Sequence, residues 1–273
     1  MAPARATYGT RCAIGLDTAV LVVAAKEEKP MRTVRALVVL NTLIVTLTAA
    51  HAQYREETVT NGGGIAGRVT VDGEIAPLPP LPVFKFHEVC GQTVPDERLV
   101  VGKNGALRNA LVYLTGVPAG KPIPRDQPVV LDNLKCAFVP HVLAASVGQM
   151  LQIHNRDPIL HDAHAQIGTE TIFNVAVPKG RTVQRPLATP GLAKINCNVR
   201  HSWMSAWLLI GENPYHTVTA ENGSFRLDDI PAGTYTLHVW HELLGNVERQ
   251  VKVDSGKTTD VDVHLKSTAA EQP

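Results

Sequence analysis

Cys197, His201 and Met204 lie close together in Ile195-Asn-Cys-Asn-Val-Arg-His-Ser-Trp-Met204. A thiol, an imidazole and a thioether are the soft and borderline ligands that select copper, and thiolate with thioether is a poor set for zinc. A blue-copper centre takes two His and one Cys in a trigonal plane, with a weak axial Met. This stretch supplies three of those four. The fourth must be a His from elsewhere, and His161 is the best candidate, in Asn155-Arg-Asp-Pro-Ile-Leu-His-Asp-Ala-His164. A lone His on a strand is more often structural than a ligand, and both His154 and His164 lie near His161 in the chain.

The pattern Asn155-x-Asp157-Pro158-x-x-His161, followed by Cys197-x3-His201-x2-Met204, resembles the cupredoxins. It is most similar to the short-loop kind typified by amicyanin and to the related domains of methylamine-utilisation-type proteins. The resemblance covers roughly residues 128–211. It implies a Greek-key sandwich holding one type 1 copper through His161, Cys197, His201 and the axial Met204. It further implies single-electron exchange with redox partner proteins rather than catalysis. Two departures stand out. The family's shortest loop is Cys-x2-His, whereas Asn198, Val199 and Arg200 separate Cys197 from His201. The family usually carries Asn after the first His, where it ties the ligand loops together, and this chain has Asp162. Arg200 reads as a solvated loop charge, although a cation near the thiolate would favour Cu(I). Trp203 reads as packing, or as part of an apolar docking patch around His201, the usual electron exit in cupredoxins.

The elements that must position these residues are strands. The chain has 273 residues, 44% hydrophobic and 19% charged, with net charge +1. That is a globular composition long enough for two domains, without the basic footprint of a nucleic-acid partner. Helical periodicity is scarce after residue 55, and short β-branched runs bounded by Gly, Pro and Asn are common, which predicts an all-β protein of sandwiches. Strands are predicted at Ile65–Val71, Val83–Cys90 and Asn109–Leu114. Across the copper half they are predicted at 129–131, 136–139, 142–146, 150–154, 161–167, 182–187, 193–197 and 206–210.

After Gly211 the pattern changes. Thr219-Ala-Glu-Asn-Gly-Ser-Phe225 and Ile230-Pro-Ala-Gly-Thr-Tyr235 resemble the carboxypeptidase-regulatory-like, transthyretin-like β-sandwich. Asn222-Gly223 suits a hairpin turn, Phe225 and Leu227 alternate inward, and runs at 247–253 and 259–265 would close the sheet. That family usually opens with strands like those at Gly64–Val69 and Asn109–Leu114. The expected organisation is therefore a discontinuous sandwich, residues 59–127 and 212–266, with the cupredoxin at 128–211 inserted. The alternative is an N-terminal extension of the cupredoxin followed by a separate C-terminal domain. Within Leu237-His-Val-Trp-His-Glu242, His238 and Trp240 fall on one strand face and His241 on the other; packing on the neighbouring domain is expected there rather than a second metal or sugar site. His87 and Glu88 are expected on the surface.

Met31-Arg-Thr-Val-Arg35 begins a second plausible start. An apolar run, 36–49, follows, ending in Ala50-His-Ala52. This is a signal-peptide pattern over 31–52, with cleavage near Ala52/Gln53. Residues 1–30 then read as a start-site extension, so the whole leader is 1–52. The alternative is an uncleaved anchor. The run is short for a membrane span, so the mature chain, periplasmic or secreted, is expected to lack one. Residues 267–273 read as a loose tail. Beyond the leader, Cys90, Cys136 and Cys197 form an odd set for an exported protein. If Cys197 is the metal thiolate, Cys90 and Cys136 can pair as a disulfide. A cysteine nucleophile is disfavoured because no activating helix follows Cys197, and Gly62-Gly-Gly precedes a strand rather than a phosphate-binding helix. A rival function is a copper-holding module, or one binding carbohydrate or cell-envelope partners through its transthyretin-like sandwich.

Overall fold

The computed structural model describes residues 53–73 and 75–266. The expected leader at 1–52 and tail at 267–273 lie outside the described residues. The protein is all-β, built from two sandwiches of short strands. Among the described residues, no helix is long and apolar enough to cross a membrane.

Residues 129–211 form two facing sheets. One has the order Thr182–Pro186, Met150–Asn155, Val129–Leu134, Ala137–Val139. The other runs Glu170–Val177, His161–Ile167, Gly191–Asn196, Ser205–Gly211, Val142–Ser146. Strand alternation builds the core between them. Leu151, Ile153 and Asn155 point inward while Met150, Gln152 and His154 are only half-buried. They meet Leu131, Ala163, Ala165, Ile195 and Leu208. A one-residue slip would turn Leu151 and Ile153 outward, so the register is strongly specified. Small Ala163, Ala165 and Ala193 let the two sheets approach where the metal-ligand candidates leave them.

The second sandwich draws on chain from both sides of that block. One sheet has the order His216–Val218, Leu111–Thr115, Gly233–His241, Gly245–Val253. In the other, Gly63–Asp72 pairs with Ser224–Ile230 on one side and with Thr258–Asp260 and Val263–Lys266 on the other. Pairs such as Gly67↔Phe225 and Leu114↔Leu237 therefore join segments that precede and follow residues 129–211. The core is Ile65, Val69, Leu107, Val112, Leu237 and Val263.

Three elements differ from the sequence expectation. Residues 83–90 do not form a strand. Phe86 takes a left-handed conformation, and the amides of Val89 and Cys90 both donate to its carbonyl, starting the helical turn His87–Cys90. Only Val83 and Cys90 of this segment are buried, a spacing that offers no alternating face to a sheet. An additional strand, Glu170–Val177, pairs with His161–Ile167; half of its residues are exposed and only Val177 is buried, so its burial signal is weak. The last predicted strand breaks at Val261-Asp262. There the Val261 amide donates to the Ala66 carbonyl and the Arg68 amide to the Asp262 carboxylate. A Cβ on Gly67 would fall 2.0 Å from the Val261 carbonyl oxygen, so only glycine permits this crossing.

The two sandwiches meet through Leu111, Val142 and Leu209, ringed by Tyr113, Val218, Trp207 and Trp240. The indoles of Trp207 and Trp240 pack edge to face with centroids 5.0 Å apart. Beside them His141 Nε2 meets Glu242 Oε2 at 2.7 Å, and Nδ1 donates to the Ser205 carbonyl at 3.1 Å. Both ring nitrogens thus face acceptors. His238 stacks on Tyr113 at 4.7 Å, and His241 is buried. The Leu237–Glu242 stretch accordingly packs at this seam. Burial raises the Glu242 carboxyl pKa, but the hydrogen bond and charge of His141 outweigh it and hold the carboxyl below its ordinary range.

Two outcomes follow. The double variant Cys90→Ala/Cys136→Ala opens a bridge spanning 46 residues and should lose about 4 kcal/mol in chemical denaturation, by the loop-closure estimate. Glu242→Gln should cost about 1–3 kcal/mol at pH 6. A depressed carboxyl contributes stability that is present above its unfolded pKa and lost as pH falls through the folded value. The gap between wild type and E242Q in urea midpoints should therefore close as pH is lowered towards 3.

Candidate metal centre

The ligand loop is the connection between two paired strands. Asn196 and Ser205 are the last register pair of Gly191–Asn196 and Ser205–Gly211, so residues 197–204 form the hairpin loop between them. The Met204 amide donates to the His201 carbonyl at 2.9 Å, and the Cys197 amide to the Met204 carbonyl at 3.4 Å. Arg200 takes φ +68° to turn the chain back.

His161 opens the neighbouring strand, and the turn before it is locked by side chains. Asn155 Nδ2 donates to the carbonyls of Ile159 and Val177, at 2.7 and 2.8 Å, and Asn155 Oδ1 accepts the Asp157 amide at 2.9 Å. Asp157 is buried and fully engaged. Its Oδ1 accepts the Lys135 amide at 2.7 Å, and its Oδ2 accepts both the Cys136 amide at 2.8 Å and His161 Nε2 at 2.9 Å. Burial raises the Asp157 pKa, but the His161 bond and the two amides prevail and lower it. His161 therefore carries its proton on Nε2, and its Nδ1 presents a lone pair.

That lone pair faces two further donors. His161 Nδ1 and His201 Nδ1 are 3.0 Å apart; Cys197 Sγ lies 3.4 Å from His201 Nδ1 and 3.9 Å from His161 Nδ1. All three side chains are buried. Metal bonds of about 2.0 Å to nitrogen and 2.3 Å to sulfur, at trigonal angles, give edges of roughly 3.5–3.8 Å. The observed triangle is on that scale. The donor set also fits a soft or borderline ion, being two imidazoles and a thiol with a buried thioether beside them. Met204 lies with Cys197 and Trp203 in the same buried cluster. Burial pushes the Cys197 thiol up to about 12, with the Asp162 charge adding to it against two amide hydrogen bonds. Burial, with His161 beside it, pushes His201 down to about 4. At neutral pH the His201 ring is thus available as a neutral donor, and metal binding must displace the thiol proton.

Asp162 ties the two ligand segments together. Its amide points at Cys197 Sγ, 3.5 Å away, and its Oδ1 accepts the amides of Asn198 and, at 3.3 Å, Val199. Trp203 is a wall: its Nε1 donates to the Cys136 carbonyl at 3.0 Å and its ring packs on His201 at 5.2 Å. Arg200 is exposed.

The chain also covers the site. The Phe86 ring meets His201 edge-on at 5.5 Å, and Phe84 lies 6.2 Å from Trp203. Their segment is stapled by the Cys90–Cys136 disulfide. His201 consequently has no solvent exposure, unlike the surface exit expected from the resemblance. Phe86 had no local signal in the sequence, since its contact with His201 spans the chain. Asp157 was visible only as part of the lead-in to His161.

The other candidates lie elsewhere. His154 Nδ1 pairs with Asp132 at 3.0 Å, and His164 bonds Thr171 and Asn198, both at 2.8 Å. His87 and Glu88 are exposed.

Comparison with known proteins gives one family match: residues 209–266 match the carboxypeptidase regulatory-like domain. The comparison with curated proteins finds no match. Among solved structures, the copper-containing nitrite reductase of Thermus scotoductus is 23% identical with TM-score 0.29, covering 36% of this chain and 25% of that one. This chain thus spans about a quarter of that reductase. The purple cupredoxin of Nitrosopumilus maritimus is 18% identical with TM-score 0.27, covering 30% and 99%. The oxidised state of an amicyanin point mutant is 19% identical with TM-score 0.29, covering 31% and 83%.

Asn155→Ala removes three hydrogen bonds, to the Ile159 and Val177 carbonyls and from the Asp157 amide, and should cost about 2–4 kcal/mol. Urea unfolding of the metal-free protein checks this, because the turn is locked without any ion.

Proposed function

We propose that this chain is an exported protein that binds one type 1 copper through His161, Cys197 and His201, with Met204 as axial ligand, and exchanges single electrons with redox partner proteins. The observation that carries this reading is the convergence of three buried donor atoms within 3.9 Å of one another. A bound copper would supply one-electron redox chemistry with little rearrangement of its ligands. The chain's own contribution is to hold those ligands still. Asp157 fixes the ring orientation and tautomer of His161, as outer-shell carboxylates do at metal-bound histidines. Asp162 holds the Cys197 loop against the His161 strand. Phe86 and Trp203 exclude water.

An oxidising compartment such as the periplasm suits the Cys90–Cys136 disulfide. The second sandwich, whose strands 209–266 match a regulatory-like domain, serves as a rigid platform for a partner, with a carbohydrate or envelope component as one class of ligand. A second reading has one observation in its favour. The burial of His201 beneath Phe86 suits a module that holds copper without cycling it.

Loading the protein from Gln53 onward with Cu(II) tests both. The electron-transfer reading expects an intense visible thiolate-to-metal band that bleaches with ascorbate or dithionite and returns with oxidant. Cys197→Ala should abolish it; a band that persists in this variant would refute the assignment. Copper bound with no reversible couple would favour the holding module.

A further inference from the structure

Two carboxylates, Asp157 and Asp162, stand against the ligand triangle, each only 6% exposed. The first accepts from His161 Nε2, and the second lies beside Cys197 and accepts the amides of Asn198 and Val199. Neither pairs with a Lys or Arg among the described residues; the one ionisable partner of Asp157 is His161 itself. Lys85 and Arg200, the nearby cations of the covering segment and the loop, are both exposed, so solvent screens them. The site therefore carries an excess of buried negative charge. A thiolate and two carboxylates contribute three negative charges. An ion of charge two leaves a net charge of minus one; adding an electron leaves minus two. Accumulating like charge in a dry interior is costly, and the carboxylate on His161 also makes that ring a more basic ligand. Both effects act against the reduced ion.

Resting on the copper reading above, we propose that Asp157 and Asp162 bias this centre towards Cu(II), making it a low-potential site. Asp162 is the residue that sets this bias most directly. It keeps the structural role of tying the loops while adding a full charge next to the sulfur. A copper held by His161, Cys197 and His201 would supply the one-electron acceptor, with a reduced redox partner as the source of the electron. The partner that reduces this centre must then be a strong one-electron reductant, and the centre itself gives its electron up readily.

Asp162→Asn tests the idea, since an amide oxygen can still accept from Asn198 and Val199 while the charge is gone. The readout is the ratio of Cu(II) to Cu(I) affinity, measured by competition with nitrilotriacetate for Cu(II) and bicinchoninate for Cu(I). This ratio needs no coloured band. In D162N it should fall at least tenfold, equivalent to a rise of about 59 mV for a one-electron couple. Arg200→Gln, which removes an exposed charge, should leave it within about twofold. An unchanged or rising ratio in D162N overturns the proposal, even if copper binds and cycles. A wild-type chain that binds neither ion overturns the copper reading, and this inference falls with it.

Discussion

The buried carboxylate of Asp157 is the point from which the metal half is organised. Its two oxygens take the amides of Lys135 and Cys136 and the Nε2 proton of His161. Those groups belong to two elements: the tight turn between Val129–Leu134 and Ala137–Val139, whose Cys136 carries the disulfide to Cys90, and the strand that His161 opens. Lys135 and Cys136 both have positive φ, so their two amides turn in succession towards one acceptor. An anion on adjacent amides is a strong, charge-assisted arrangement. Here it satisfies both amides of the turn and at the same time chooses the tautomer of His161. Backbone economy and metal chemistry therefore rest on one side chain.

Asp162 repeats the device on the other side of the triangle. It bonds the first amides of the 197–204 loop and so fixes the start of that loop. Arg200 turns the chain back in a left-handed conformation. An amide side chain could make the same bonds without charge. What Asp162 adds over Asn is electrostatic, so the geometry and the charge of this position can be considered separately.

Part of the 129–211 half was legible where its strands alternate. Met150–Asn155 follows directly from its alternation of half-buried and buried residues, and the Cys-His-Met cluster lies within one loop, where spacing alone can be read. What failed to show was either non-alternating or distant. Glu170–Val177 is an exposed edge with little burial contrast. The turn at His87–Cys90 serves a covalent tether and a ring contact rather than a sheet face. Phe86 on His201 and His141 on Glu242 join residues more than a hundred positions apart, and no local pattern announces such pairs.

The seam between the sandwiches bears on how the metal half can be used. The chain passes into and out of residues 129–211 at neighbouring points, and buried Asn213 fastens them. Its Nδ2 donates to the Leu114 carbonyl, its Oδ1 accepts the Tyr215 amide, and its own carbonyl accepts Ser146 Oγ. The Val147 amide adds a bond to the Gly211 carbonyl. With Trp207 against Trp240 and the His141–Glu242 pair, this seam has both an apolar centre and directional bonds, the combination that resists sliding. A flexible tether would let the metal half search for partners independently of the platform. A fastened seam instead fixes the direction in which the ligand loop and its Phe84–Phe86 cover face relative to the second sandwich.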